Sequence, residues 1–311
     1  MIISNSTSVE QSEFHTTTRT AWKYQLGKQV AAYLFLLPAL VLFAVFAWYP
    51  IVNAVIMSFQ DVTLQGDSAW VGLDNFSLML RDPAFEIAWR NSLQFTGWSL
   101  LLGFLLPVII AVLIREMRIA QGFFRIVYFL PTVVPSAVAI IIWRFIYDPD
   151  AGLLNETLRT FGLSGQQWLN DAALVKPSIV TMMTWGAFGT TALIYLSTLQ
   201  EIPTELYEAA ELDGASPLHR IRHITFPHLY PVMSVLFILQ VISVVQLFTE
   251  PFLLTNGGPG RETLTPALHI YNRAFTRIDL GYASAWSVML IIVLLSFSIV
   301  YRIVNHRLNG D

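Results

Sequence analysis

Six stretches of at least 18 residues in this 311-residue chain contain no Asp, Glu, Lys or Arg: 29–60, 91–114, 126–143, 177–200, 223–249 and 280–301. A helix needs roughly 20 mainly apolar residues to cross the hydrocarbon core of a bilayer. Each stretch is a candidate span, because a soluble core helix of that length would present charges to water every turn or two. The composition agrees: 55% of the residues are hydrophobic and 13% charged, where soluble domains carry about 25% charged residues. The expected fold class is an all-α membrane protein of six transmembrane helices. An even number of crossings puts both termini on one side.

Charge asymmetry orients those helices. Arg115, Arg118 and Arg125 lie between the second and third stretches, Arg302 and Arg307 follow the sixth, and Arg19, Lys23 and Lys28 precede the first. The positive-inside rule places all of these, and both termini, in the cytoplasm. The raw count divides less sharply, with 10 of the 18 Lys and Arg inside and 8 outside. Two of the outside residues, Arg90 and Lys176, sit at span ends where snorkelling is expected. The first stretch is too long for a cleaved signal and lacks a small-residue cleavage site, so it reads as a retained span. The layout is then a cytoplasmic segment at 1–28, a first helix with its outside loop at 29–90, a five-helix core at 91–305 carrying a cytoplasmic loop at 201–227, and a tail at 306–311. Pro38, Pro50, Pro107, Pro131 and Pro135 fall inside spans and predict kinks.

Several chemistries are excluded. Cysteine is absent, which removes disulfides, thiolate zinc sites, iron–sulfur clusters and a cysteine nucleophile. A net charge of −3 offers no basic field for nucleic acid. No G-x-x-x-x-G-K-[ST] phosphate loop and no G-x-S-x-G elbow occurs, so the chain binds no ATP by that route and has no hydrolase signature. No catalytic residue is expected. His219 and His223, four apart, have the spacing of a metal pair but lack an HExxH context, and surface or interface histidines are the preferred interpretation. Asn256–Gly260 reads as a tight turn in an outside segment, and Asn155-Glu156-Thr157 fits a glycosylation sequon.

The segment between the fourth and fifth stretches is the most informative. Pro203 or Thr204 opens a short helix in which Glu205, Glu208 and Glu211 recur on one face, and Gly214 ends it as a C′ residue. Ser216-Pro217 then starts a second helix as N-cap and N1, with Leu218, Ile221 and Ile224 as an apolar stripe and Pro227 as its stop. An acidic helix beside a basic one (Arg220, Arg222), with small Ala209, Ala210 and Ala215, suits docking in a groove of another protein. An amphipathic loop lying on the membrane surface is the alternative.

Glu208-Ala-Ala-Glu-Leu-Asp-Gly-Ala215 followed by Ile224-Thr-Phe-Pro227 resembles the EAA loop of binding-protein-dependent ABC importer permeases. Phe124–Pro131, Trp143-Arg-Phe, Gly152–Asn155, Val71–Phe76, Thr255–Pro259 and Leu280–Ala285 resemble further segments of the carbohydrate branch, in the same order. The resemblance implies the type I importer permease fold in compact six-span form, without a large inserted domain. It implies that Glu208, Ala209, Ala210, Asp213, Gly214, Ala215 and Pro227 belong to a coupling helix seated in a cleft of an ATPase. It also implies partners: a second homologous permease, giving a heterodimer, two ATPase subunits that bind the ATP and Mg, and an extracytoplasmic solute-binding protein. The setting would be the cytoplasmic (inner) membrane of a bacterium or archaeon.

Polar groups within spans need partners and are candidates for a solute pathway. The fourth stretch offers Thr181, Thr184, Trp185, Thr190 and Thr191; the fifth Gln240, Ser243 and Gln246; the sixth Ser284, Trp286 and Ser287. Uncharged amides, hydroxyls and aromatic faces suit a sugar, although hydrogen bonding between helices is the plainer role. Ion-coupled carriers usually need charged midplane groups, and Glu250 at a span end is the main exception to their scarcity here. A non-sugar solute such as glycerol phosphate or a polyol, and a secondary transporter, remain the alternative functions.

Overall fold

The computed structural model describes residues 33–63, 68–116 and 121–309; the segment 1–28 and Arg118 lie outside them. The chain divides into two units, Met1–Ile56 and Met57–Asp311. The described part of the first is helix α1, Tyr33–Met57, whose last residue begins the second.

The second unit opens with a two-residue antiparallel pair, β1 (Gln60–Asp61) and β2 (Ala69–Trp70). Then come α2 (Asp74–Arg81), α3 (Pro83–Arg115), and the pair α4 (Gly122–Val133) and α5 (Ser136–Ile146). After α6 (Leu153–Thr160) follow α7 (Val175–Gln200), α8 (Thr204–Leu212) and α9 (Pro217–Val245). The short α10 (Thr249–Thr255) and α11 (Pro266–Tyr271) lead into α12 (Leu280–Asn309).

Five of the six charge-free stretches are single helices long and apolar enough to span: α1, α3, α7, α9 and α12. The other, 126–143, is broken, with α4 and α5 meeting at a bend of 100°. Pro135 stands at the break. Val134 stands before Pro135 with ψ 123° and Pro135 itself has ψ 137°, because a residue preceding proline is driven out of the helical region.

Elsewhere proline is accommodated. Helical π turns occupy Ala44–Trp48, Leu100–Phe104 and Ile221–Thr225. Each contains the residue four before a proline (Pro50, Pro107, Pro227), whose carbonyl the ring would strike in an α-helix; the wider turn gives it room. Pro227 therefore does not stop the second short helix. That helix continues as α9, and His228 lies on it. Other bounds also differ from the charge-free stretches: α3 begins at Pro83, taking in Glu86 and Arg90, α5 runs to Ile146, α7 begins at Val175, and α12 runs through 306–309.

Helix α7 packs against α3, α4, α5 and α9. Gly189 permits a close approach to α4, since a Cβ there would lie 2.6 Å from the Tyr128 carbonyl oxygen. Three apolar clusters tie the unit together. Ala111, Ile114, Leu199, Ile202 and Leu229 join α3, α7 and α9 where their 201–227 ends meet. Phe95, Ile140, Ile179, Val244 and Leu254 fill the middle and far half. Met79, Ala84, Ala88, Leu268, Tyr282 and Trp286 close the opposite face. Tyr230 bonds Asn305 at 3.2 Å, so the end of α12 also lies on the 201–227 face.

Candidate functional site

Among the described residues, α3, α7, α9 and α12 each have an end on the 201–227 face, and a closed helix–turn–helix connects α7 to α9. Pro203, with ψ 134°, sets the start of α8. Its end is a Schellman motif: the Ala215 N–H donates to the Ala210 carbonyl at 2.9 Å and the Gly214 N–H to Glu211 at 3.0 Å. Gly214 has φ +75°, a left-handed conformation that suits glycine. Ser216 then caps α9, its hydroxyl accepting from the His219 N–H at 3.3 Å, with Pro217 at N1. Both sequence signals for the turn are realised.

Tyr207 holds this unit to the spans. The Arg115 guanidinium donates to its hydroxyl at 2.5 Å and lies 4.2 Å over its ring. The same hydroxyl is 2.8 Å from that of buried Thr225, so one side chain links the ends of α3, α8 and α9. Ile224 packs with Tyr207 against the apolar cluster beneath, but Leu218 and Ile221 are exposed. Only the last residue of the expected apolar stripe faces inward. We expect Tyr207→Phe, which removes a partner shared by Arg115 and Thr225, to cost about 1–2 kcal/mol in thermal or denaturant unfolding. Wild-type stability would deny Tyr207 this structural role.

The surface left outward is mixed. Glu208, Ala209, Asp213, Gly214 and Pro227 are exposed, while Ala210 and Ala215 are half-buried. Among the described residues no cation lies within ion-pair distance of Glu208. Leu212 is 90% exposed and Leu218 75%, an apolar element beside the acidic one of the kind found at interaction sites. A cavity of about 600 Å³ between the helices is lined by Ala210, Ala215, His219 and His223 among others. The two histidine rings stack at 4.0 Å. Among the described residues no group of three His, Cys, Asp or Glu is placed to hold a metal.

The opposite face is organised by Asp82, which the sequence reading passed over although Asp-Pro is an N-cap signal. One carboxylate oxygen accepts from the Ala84 N–H at 2.8 Å, capping α3. The other accepts from Arg273 at 2.7 Å and from the Tyr282 hydroxyl at 2.9 Å. Burial alone would raise its pKa, but these three donors together bring it below the ordinary carboxylate value. Lys176 does not snorkel; it is buried and paired with Glu262. Asn155 is fully buried, bonding Trp168, Gln166 and Pro149, so in the folded chain the sequon asparagine is inaccessible. Burial raises the Glu250 carboxyl at the start of α10.

The pathway candidates separate into three groups. Thr184 and Gln240 come together with two residues that sequence reasoning missed. Gln240 donates to Ser99 at 2.5 Å, and a Cβ on Gly103 would lie 3.0 Å from the Gln240 amide and 3.4 Å from the Thr184 hydroxyl. Trp185 meets Trp143 edge-on at 5.8 Å; Ser243, Gln246 and Thr190 are exposed. The α12 group is engaged within the protein. Trp286 is wholly buried against Phe85 and His269, Ser284 is 9% exposed, and Ser287 donates to Ala283 of its own helix. A passing solute finds no free face on that indole.

Residues 103–310 match the family model described as the binding-protein-dependent transport system inner membrane component. The arabinooligosaccharides transport system permease protein AraP of Bacillus subtilis (strain 168) is 34% identical over 288 residues, 92% of this chain and 91% of that one. The trehalose/maltose transport system permease protein MalF of Thermococcus litoralis is 33% identical over 280 residues, covering 90% and 94%. A chain of a bacterial alginate ABC transporter, solved with a pentasaccharide-bound periplasmic protein, superposes with a TM-score of 0.84 at 23% identity, over 93% and 98%.

Proposed function

The chain belongs to the binding-protein-dependent transport system inner membrane components, and from that premise we propose that it passes a sugar, as a mono- or oligosaccharide, into the cytoplasm while separate ATPase subunits supply the energy. It is a non-enzymatic, multi-pass permease subunit. The observation that carries the coupling assignment is the Schellman-closed pair α8–α9, fixed through Tyr207 to α3 and presenting Glu208–Ala215 outward.

Movement of a partner against Glu208, Ala209, Ala210, Asp213, Gly214 and Ala215 would pass into α9, which is continuous through the Pro227 π turn, and into α3 and α7 beside it. Rigid elements transmit such a displacement where a flexible loop would absorb it. The 201–227 face and both termini would then be cytoplasmic, in the inner membrane of a bacterium or archaeon. ATP and Mg would sit on the two ATPase subunits. A second, homologous permease and an extracytoplasmic binding protein would complete the assembly, and Thr184, Gln240 and Ser99 are the pathway residues the geometry favours.

The names of AraP and MalF support a sugar. A secondary transporter is disfavoured by the scarcity of charge inside the spans. Uptake by the reconstituted complex should stop when every ATPase subunit is left out. Uptake that persists would overturn the proposal.

A further inference from the structure

On the face opposite 201–227, α11, the preceding glycine-rich turn and the start of α3 enclose a cavity of about 640 Å³ with an excess of positive charge. Arg261, Arg273 and Arg277 line it, against a single carboxylate, Asp82. Arg273 is already paired with that carboxylate at 2.7 Å and, behind the lining, with Asp279 at 3.8 Å. Among the described residues, Arg261 and Arg277 have no carboxylate within 4.0 Å. Two cations thus face a water-accessible hollow uncompensated, and a negative charge placed there would be attracted by both.

The walls are built. Asn91, fully buried, donates to the carbonyls of Arg261 (2.8 Å) and Leu264 (3.0 Å). Thr263, also fully buried, donates to Gly258 at 2.8 Å. Arg261 adopts φ +74°, and Ile278, next to Arg277, φ +59°, conformations that side-chain-bearing residues seldom adopt without tertiary support. His269 also lines the hollow at 7% exposure, and its Nε2 has no hydrogen-bond partner among the described residues; Asp82 is 4.0 Å away. Burial, then the neighbouring Arg273, push its pKa down to about 4, so the ring is neutral near pH 7.

We propose that this cavity is a subsite for an acidic sugar, whose carboxylate is taken by Arg261 and Arg277 and whose hydroxyls meet the amides of Asn256 and Asn272 and the unpaired His269 nitrogen. Guanidinium–carboxylate pairs are among the stronger hydrogen bonds, and a volume of several hundred Å³ is that of a small-ligand pocket. The two asparagine amides and the His269 nitrogen give sugar hydroxyls partners that a lone protein carboxylate would leave unused. The inference rests on the sugar-import assignment and narrows it to uronate-bearing saccharides.

The test is equilibrium binding of digalacturonate, and of its neutral dimethyl ester, to the permease–ATPase complex without the binding protein. Digalacturonate should bind about tenfold or more tighter than the ester, and Arg261→Gln with Arg277→Gln should remove that advantage. Both side chains are exposed, so unchanged thermal unfolding is expected and controls for folding. Equal binding of acid and ester, no binding at millimolar concentration, or an unaffected double variant each overturns the subsite. So does loss of binding-protein docking in the variant without digalacturonate binding, which would give the arginines to a protein partner. ATP-driven uptake of a neutral oligosaccharide alongside any of those results leaves the import assignment standing. Uptake without ATPases removes that assignment whatever the binding shows.

Discussion

Replacing Gly214 by proline should reduce ATP-driven uptake by more than about tenfold while ATP hydrolysis continues and the spans remain inserted. Proline fixes φ near −65°, whereas position 214 sits at +75°, so the turn between α8 and α9 cannot close. The substitution also deletes the N–H that donates to Glu211 at 3.0 Å. With the Schellman motif gone, α8 loses its fixed angle to α9, and a push on it no longer moves the spans. Alanine is the calibrating substitution. No atom lies within 4 Å of a Cβ at 214, so Gly214→Ala meets only the left-handed penalty of about 1 kcal/mol and should transport at a reduced but measurable rate. Glu208→Lys approaches the same question without disturbing the fold, because Glu208 is exposed and forms no ion pair among the described residues. It should lower uptake per ATP hydrolysed while Tm stays at the wild-type value. Wild-type transport in both Gly214→Pro and Glu208→Lys would refute the docking role.

How much of this was legible beforehand depends on where the deciding interaction lies. The charge-free runs announced the spans because lipid penalises every unpaired charge along a helix. Gly214 and Ser216-Pro217 were equally plain, since caps and C′ glycines are decided within a few residues of their own backbone. Prolines were read less well. Pro227 and Pro135 look alike in sequence, yet one is absorbed by a π turn and the other stands at the break of a span. The start of α3 was hidden because its first turns carry Glu86 and Arg90 outside the charge-free run. The burial of Trp286 was hidden for a related reason. A tryptophan in an apolar run serves a pathway or a core equally well, and only the positions of Phe85 and His269, far off in sequence, decide for the core. Ser99 and Gly103 gave no signal, being two small residues among many.

Asp82→Ala should destabilise the purified protein by about 3 kcal/mol or more. One N-cap contributes about 1 kcal/mol. The second oxygen accepts from Arg273, 21% exposed, and from the Tyr282 hydroxyl, and breaking a largely buried pair by deleting one partner adds several more. Asp82→Asn keeps the cap and an acceptor while losing the charge, so it should fall between wild type and alanine. Acid should approach the same end state by two steps. His269, pushed down to about 4 from 6.5, leaves stability full above pH 6.5. Below that the unfolded chain binds the extra proton, and stability declines until about pH 4. Asp82 is lowered as well, so its contribution is complete above the ordinary carboxylate value and fades only below about pH 4. Tm measured from pH 8 to pH 3 should therefore stay level to about 6.5, then slope, then drop. In Asp82→Ala the final drop should shrink, because the carboxylate that drives it is gone. An alanine variant within about 1 kcal/mol of wild type at pH 7 would show that α3 is held at this face by the apolar contacts of Ala84, Ala88 and Trp286 alone.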